Sequence, residues 1–600
     1  MRCVGLCNRL LGGAPRCSAV LAVCLGIAAG ALPSQGAGMP PSAPEVLARQ
    51  WADYEQVEAK PVEALQPFRA VRQTSDPESG DIRLVSINPG LNGWFLLELS
   101  GAGRRGSTVY HLENADPRGQ KLDLRQEAGA SLVITRGEEH FACRPWEDGD
   151  AMLAAARQSG LPFAPICGGR LYLRNGVQGA RSSKETVAEF LRDNVWFGED
   201  IVRIVRETVY KDAFLESSET EEGAAEGDVR VVPALPGAAV GREARMAAFV
   251  GFDLEGGPST RDMEIGLWYP VAGAPGIYAS AFQPGEAHPD LLNRRGDANP
   301  LDAVERRANV YLLAFDLSQF ELGYELGTDH PRLDWSPRPQ RIGPAARLAG
   351  PDGLRSPAPL VPLGMVNPRQ AGRIAATFAG GFKREHGAFR FGDFAVTNSG
   401  HHYGFVVHGA ILSKLQPGLA TLYVLDDGTV DMKTWEEADN ELLPRLRFAR
   451  QNGLPIVERH PASGAVEPGP MVRYYGPGNW SGSAEAEFRT LRAGACLKWH
   501  MGRPFLIYAY FSSVTPSAMA RTFQAYDCDY AMLLDMNALE HTYAALYTPR
   551  ADGAGIEARH LVEGMRLVDQ KARDGSTVLR FIGAPDNRDF FYLLRKEPGQ

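Results

Sequence analysis

The 600-residue sequence has no Walker loop and no His-Glu-x-x-His pair, which removes two familiar routes to phosphate cradling and zinc chemistry. Gly478-Asn479-Trp480-Ser481-Gly482 is not a serine-hydrolase elbow, because Asn479 stands where the first Gly belongs. His401 and His402 are adjacent, so they cannot share one face of a regular element as a metal pair. Cysteine is scarce: of eight, four (Cys3, Cys7, Cys17 and Cys24) lie in the N-terminal leader. The other four, Cys143, Cys167, Cys496 and Cys528, include no Cys-x-x-Cys and no clustered His, so no metal site is expected from them. No organic cofactor is expected either. Positive charge is in deficit, with 63 Lys and Arg against 72 Asp and Glu and a net charge of −9. That balance excludes nucleic-acid binding through a general electrostatic field.

What is present first is an export pattern. Arg2, Arg9 and Arg16 precede the apolar run Ala19–Ala29, and small residues follow to about Gly38. The run is shorter than the roughly 20 residues a spanning helix needs, so residues 1–38 read as a signal peptide, with no stable membrane insertion after its removal. Losing its three arginines and no acid takes the net charge from −9 to −12. Cys24 lies inside the apolar run behind Val23, which argues against lipidation. A periplasmic or extracellular location is disulfide-permissive. The four later cysteines allow three pairings, of which Cys143–Cys167 and Cys496–Cys528 are the simplest.

With 44% hydrophobic and 22% charged residues, the bulk of the chain can bury a core, and its length calls for two or three domains. Residues 45–212 read as a separate N-terminal α+β domain of unknown role. Leu84–Ile87 and Trp94–Leu99 are strands split by the turn Asn88-Pro89-Gly90, and helices are expected at Gly149–Gln158 and from Ser182, with Glu185 at capping-box spacing. Residues 213–240 read as an acidic linker, because Glu216, Glu219, Glu221, Glu222, Glu226 and Asp228 stand among Gly and Ala with almost nothing to bury. Residues 241–304 form a Gly- and Pro-rich connecting segment. The strand Asn309–Asp316 then opens a final α/β domain over 305–600.

The densest signal sits late in the chain. Pro504–Phe511 is an apolar strand, Thr515 and Pro516 announce a helix with Met519, Phe523 and Tyr526 on one face, and Tyr530–Leu534 is a second buried strand. Strand, helix and strand predict a parallel crossover unit, which delivers Asp535 and Asn537 to a sheet edge where a ligand can reach them.

The motifs Ala375–Phe382, Tyr423–Gly428, Arg450-Gln451-Asn452, Arg492-Ala493-Gly494 and Leu534-Asp535-Met536-Asn537 occur in an order and spacing that resembles the phosphodiester glycosidase family over residues 305–550. The chain departs from that family twice. Ala379 replaces the Asn of Asn-Gly-Gly-Phe, and Asp535-Met536-Asn537-Ala538-Leu539-Glu540 replaces Asp-Gly-Gly-Gly-Ser-Ser, similar to a bacterial secreted branch.

The resemblance implies hydrolysis of a sugar-1-phosphate diester in an envelope or extracellular glycan; the alternative is a glycan- or phosphopolymer-binding module on the same fold without turnover. Asp535, as base or electrostatic stabiliser, Asn537, as an orienting amide, and Arg492, with its planar fork for phosphate, are the candidate catalytic residues. Gly380 and Gly381 let a backbone approach a ligand, and Lys383 supplies a cation. Arg450, Asn452 and His541 are candidates for holding the sugar. The structural alternatives are a tight turn for the glycines, plain solvation for Lys383, a partner for a buried acid for Arg492, turn geometry for Asp535, Asn537 and Asn452, and a core position for His541.

Overall fold

The apolar segments of this chain pair edge to edge far more than they coil. In the computed structural model the described residues are 60–597, except 127–128, 183–184, 188–189, 191–214, 224–234, 256–261, 295, 297, 332–355, 384–403, 475–488, 551 and 554. The signal-peptide reading, the region of Gly478–Gly482 and the pair His401 and His402 lie outside them. The described residues belong to one compact unit.

The expected α+β class is overturned. Among the described residues seven sheets make the architecture mostly β, and the hydrogen-bonded neighbours within each sheet are antiparallel. Helices are few among the described residues: Glu147–Gln158 and Pro516–Ala525 are the two of ten residues or more. Strands also come from a Gly- and Pro-rich stretch and from an acidic one. Ile277–Phe282, within the segment taken as a connector, is a full member of the largest sheet, where its small residues pack closely against Val310–Asp316. Thr220–Glu222, in the acidic segment, pairs with Ala244–Ala247.

The largest sheet has eight strands, in the order Tyr269–Pro270, Ile277–Phe282, Val310–Asp316, Arg503–Val514, Thr490–His500, Tyr530–Met536, Pro455–Arg459 and Val466–Pro468. Arg503–Val514 and Tyr530–Met536 flank Thr490–His500, each antiparallel to it, so they run parallel to one another with one strand between. The crossover through Pro516–Ala525 is therefore as expected from the sequence, and the intervening strand is what the sequence did not show. Pro516 holds the first helical position.

A five-stranded sheet in the order Phe320–Glu325, Phe590–Arg595, Ile374–Ala379, Ala544–Pro549 and Ile556–His560 lies against it. Phe378 of this sheet stacks on Phe315 and tilts against Tyr508 of the larger one, with ring centroids 6.4 and 5.2 Å apart. A second five-stranded sheet carries Leu446–Gln451 at its centre. Its end meets the other two at the candidate site.

The N-terminal strands are fastened to the later ones through buried charge. Glu113, at the end of Thr108–Glu113, and Glu325 share the guanidinium of Arg174, whose Nη2 stands 2.8 Å from Glu325 Oε1. Asn367 Nδ2 donates to Glu113 Oε1 at 2.7 Å, and Val85, Ile87, Trp94 and Leu96 belong to the same apolar core as Phe378 and Tyr508. Cys143–Cys167 and Cys496–Cys528 are both bridged, as the simplest pairing predicts. Among the described residues no helix is long and apolar enough to cross a membrane.

Candidate active site

Antiparallel pairing explains why distant polar residues meet here. Ile374–Ala379 and Phe590–Arg595 are paired with Ala379 opposite Phe590, so Gly380, just past the end of one strand, faces Asp589, just before the start of the other. Gly380 N donates to Asp589 O at 3.0 Å, and Gly380 O accepts from Asp535 N at 3.2 Å, which joins the two large sheets. Asn452, just past Leu446–Gln451, ties in the third: its Oδ1 accepts from Phe382 N at 2.9 Å, and its Nδ2 donates to Leu533 O and Leu534 O at 2.7 and 3.1 Å.

The carboxylate of Asp535 lies at the centre. Arg588 Nη1 donates to its Oδ2 at 2.8 Å, and His330 Nε2 stands 4.0 Å from the same oxygen. Burial pushes the Asp535 acid up to about 7 and outweighs the opposing pull of Arg588. His330 turns its Nδ1 to Asp589 Oδ1 in a hydrogen bond. Burial takes the His330 imidazole down to about 4 against the attraction of Asp589. Although burial opposes it, Arg450 and then His330 hold Asp589 well below the usual carboxylate range. Arg450 Nε donates to Asp589 Oδ2 at 2.9 Å, as does the Tyr324 hydroxyl at 2.8 Å.

Arg588 is shared three ways. Besides Asp535 it meets Glu185 Oε1 at 2.6 Å and His541 Nε2 at 2.7 Å, both through Nη2, and its buried Nε has no hydrogen-bond partner among the described residues. His541 Nδ1 contacts Met536 O at 2.8 Å, so the ring donates there and accepts from Arg588 at Nε2, as neutral imidazole. Burial, then Arg588, depress the His541 pKa to about 3. Glu185 is held low by Arg588 in spite of its burial. Its position after Ser182 suits a cap, and Ser182 Oγ does accept from Glu185 N at 3.1 Å, but the carboxylate turns to Arg588 and Asn587 instead of closing a capping box.

The sequence-predicted residues therefore divide. Asp535, Gly380, Gly381, Arg450, Asn452 and His541 converge, and Lys383 is buried close enough for its charge to act on His330 and Glu185. Arg450 and Asn452 serve as internal braces in the described contacts, not as free hydrogen-bonding groups. Arg492 is fully buried and donates to Val514 O at 2.8 Å and to the sulfur of Met536 at 3.0 Å. Asn537 has positive φ and accepts from Thr490 Oγ1 at 3.0 Å, which is turn chemistry.

The glycines have a packing reason. A Cβ on Gly380 would lie 2.3 Å from Asp589 Oδ2, and one on Gly381 would lie 2.6 Å from Asn452 Oδ1. Gly380→Ala displaces the Asp589 carboxylate from Arg450 and His330. We expect a loss of about 1–3 kcal/mol, read as a lower melting temperature; unchanged melting would show that the carboxylate can move freely.

Sequence reading missed His330, Glu185, Arg588 and Asp589. A usable signal existed for the last two: Asn587-Arg588-Asp589 abuts the apolar strand Phe590–Leu594, the mirror image of the pattern that exposed Asp535. Among the described residues no group of three or more His, Cys, Asp or Glu is placed to hold a metal ion.

No family model and no curated protein matches the sequence. Among solved structures, the catalytic domain of zebrafish N-acetylglucosamine-1-phosphodiester alpha-N-acetylglucosaminidase, auto-inhibited by its pro-peptide, aligns at 9% identity over 65% of this chain and 99% of its own, with a TM-score of 0.26. A hypothetical protein from Synechocystis aligns at 12% identity over 88% of this chain and 81% of its own, with a TM-score of 0.18. Scores this low carry no weight for fold or chemistry, both of which are read from the residues.

Proposed function

We propose that this chain is an exported hydrolase that cleaves the bond between a sugar anomeric carbon and phosphate in a sugar-1-phosphate diester. The observation that carries this reading is the Asp535 carboxylate, buried at a strand end between the Arg588 guanidinium and the imidazole of His330. The phosphate monoester that departs is a good leaving group, so the reaction needs little acid help. It needs a negative group beside the oxocarbenium-like centre and cations for the phosphate. Asp535 supplies the first. Arg588, whose Nε–H has no hydrogen-bond partner among the described residues, and Lys383 supply the second. The two buried disulfides fit an oxidising compartment.

The reading is tested by incubating the protein with sugar-1-phosphate diesters and following phosphorus NMR. Appearance of phosphate monoester and free sugar supports it. Retention of the glycan without any product would favour a binding module.

The pH dependence has a definite sign. Asp535 acts as a carboxylate, and it is protonated below about 7. We expect kcat/KM to fall with pH below that value, by about tenfold per unit. Stability moves the other way: the folded chain keeps a proton that the unfolded chain gives up near 3.8, so the contribution of Asp535 weakens folding as pH rises from about 4 to 7. A rate profile flat from pH 5 to 8 would contradict the assignment.

A further inference from the structure

We infer that His330, held by Asp589, is the catalytic base that takes the proton of the attacking water, while Asp535 remains the carboxylate facing the anomeric carbon. The inference rests on the reaction proposed above. Its ground is the geometry of a buried imidazole with one nitrogen engaged and the other left open. Nδ1 is bound to Asp589, which fixes the ring and leaves the lone pair on Nε2. That nitrogen is buried, in a residue only 1% exposed, and has no hydrogen-bond partner among the described residues. An unsatisfied buried polar atom costs about 1–3 kcal/mol, so a core histidine kept only for packing is poorly served by this arrangement.

The open nitrogen points to the reacting region. It stands 4.0 Å from Asp535 Oδ2, too far for a direct hydrogen bond. A single water about 2.8 Å from each atom closes that gap. The charged groups acting on the ring are Asp589, Arg588 and Lys383, with Asp535 across the gap. Asp589 is itself locked by Arg450 and Tyr324, so the support behind the imidazole does not move.

The step balances without a further reactant. The water oxygen bonds to the anomeric carbon as the carbon–oxygen bond to phosphate breaks, its electron pair leaving with the phosphate. The water proton passes to His330 Nε2, and Asp589 offsets the imidazolium charge. The proton then goes to solvent or to the departing phosphate.

Azide, a nucleophile that carries no proton to remove, separates a base from an electrostatic stabiliser. His330→Ala should lose about 10²–10⁴-fold in kcat, and sodium azide should restore turnover as glycosyl azide. Asp535→Ala should lose activity that azide does not restore. If the wild type cleaves no sugar-1-phosphate diester, the reaction itself is wrong. If the wild type is active and His330→Ala keeps its rate, or folds and is not rescued by azide, the base assignment is overturned alone. Should His330→Ala fail to fold, nitrogen-15 NMR of the wild-type ring decides: the proton belongs on Nδ1, and a proton on Nε2 would overturn the assignment.

Discussion

Asp535→Asn is expected to lower kcat by a factor of about 10²–10⁴, the range for loss of a positioned ionised group at a reacting centre. The substitution keeps the shape of the side chain and removes the charge. It also removes an acid that burial raises to about 7, so folding should not weaken at pH 8 and the melting temperature should hold or rise. Lost turnover with retained stability is the pattern of a group kept for chemistry against its own solvation. Steady-state rates beside thermal melts check it. A variant that loses both together would mark Asp535 as a structural partner of Arg588.

Arg174→Met should have the largest effect on folding. Glu113 and Glu325 are buried against this one guanidinium, which also donates to Val361 O at 2.9 Å and lies 4.7 Å from the Trp94 ring centre. Methionine keeps much of the length but strands two carboxylates without their cation. Breaking a buried pair from one side costs about 3–5 kcal/mol, enough to unfold a marginal protein. Burial opposes the ionisation of Glu325, and Arg174 is the main group holding its pKa below the usual 4.5. The stabilisation from that depression is present above 4.5 and lost as pH falls, so the gap between wild type and variant should narrow in acid. Denaturant titrations at pH 7.5 and 4.5 measure this. Equal stability at pH 7.5 would mean that the N-terminal strands are not held by this cluster.

Asp535 was legible because an apolar run that ends in a carboxylate has a physical meaning in any sheet. The helix at Pro516 and the local disulfides were legible for similar reasons: each depends on neighbours in sequence. The partners of Asp535 were not. His330 and Arg588 reach it from separate segments, and Glu185 reaches Arg588 from a third, brought there by pairings that no local pattern encodes. Arg588 and Asp589 precede a buried strand, as Asp535 ends one, so half of the cluster carried a readable signal. Arg492 was read as a phosphate fork on the strength of its motif alone, but its described hydrogen bonds go to Val514 and Met536. The mostly β architecture escaped because small residues such as those of Ile277–Phe282 look like connectors until a neighbouring strand needs their close approach.

In the proposed reaction the bond to carbon breaks, and not a bond to phosphorus. Hydrolysis of a sugar-1-phosphate diester in oxygen-18 water tests it directly, with mass spectrometry of both products. A glycosidase places the heavy oxygen on the sugar C1 hydroxyl and leaves the phosphate unlabelled. Label in the phosphate would show attack at phosphorus, and Asp535 would no longer be the group that faces the anomeric carbon.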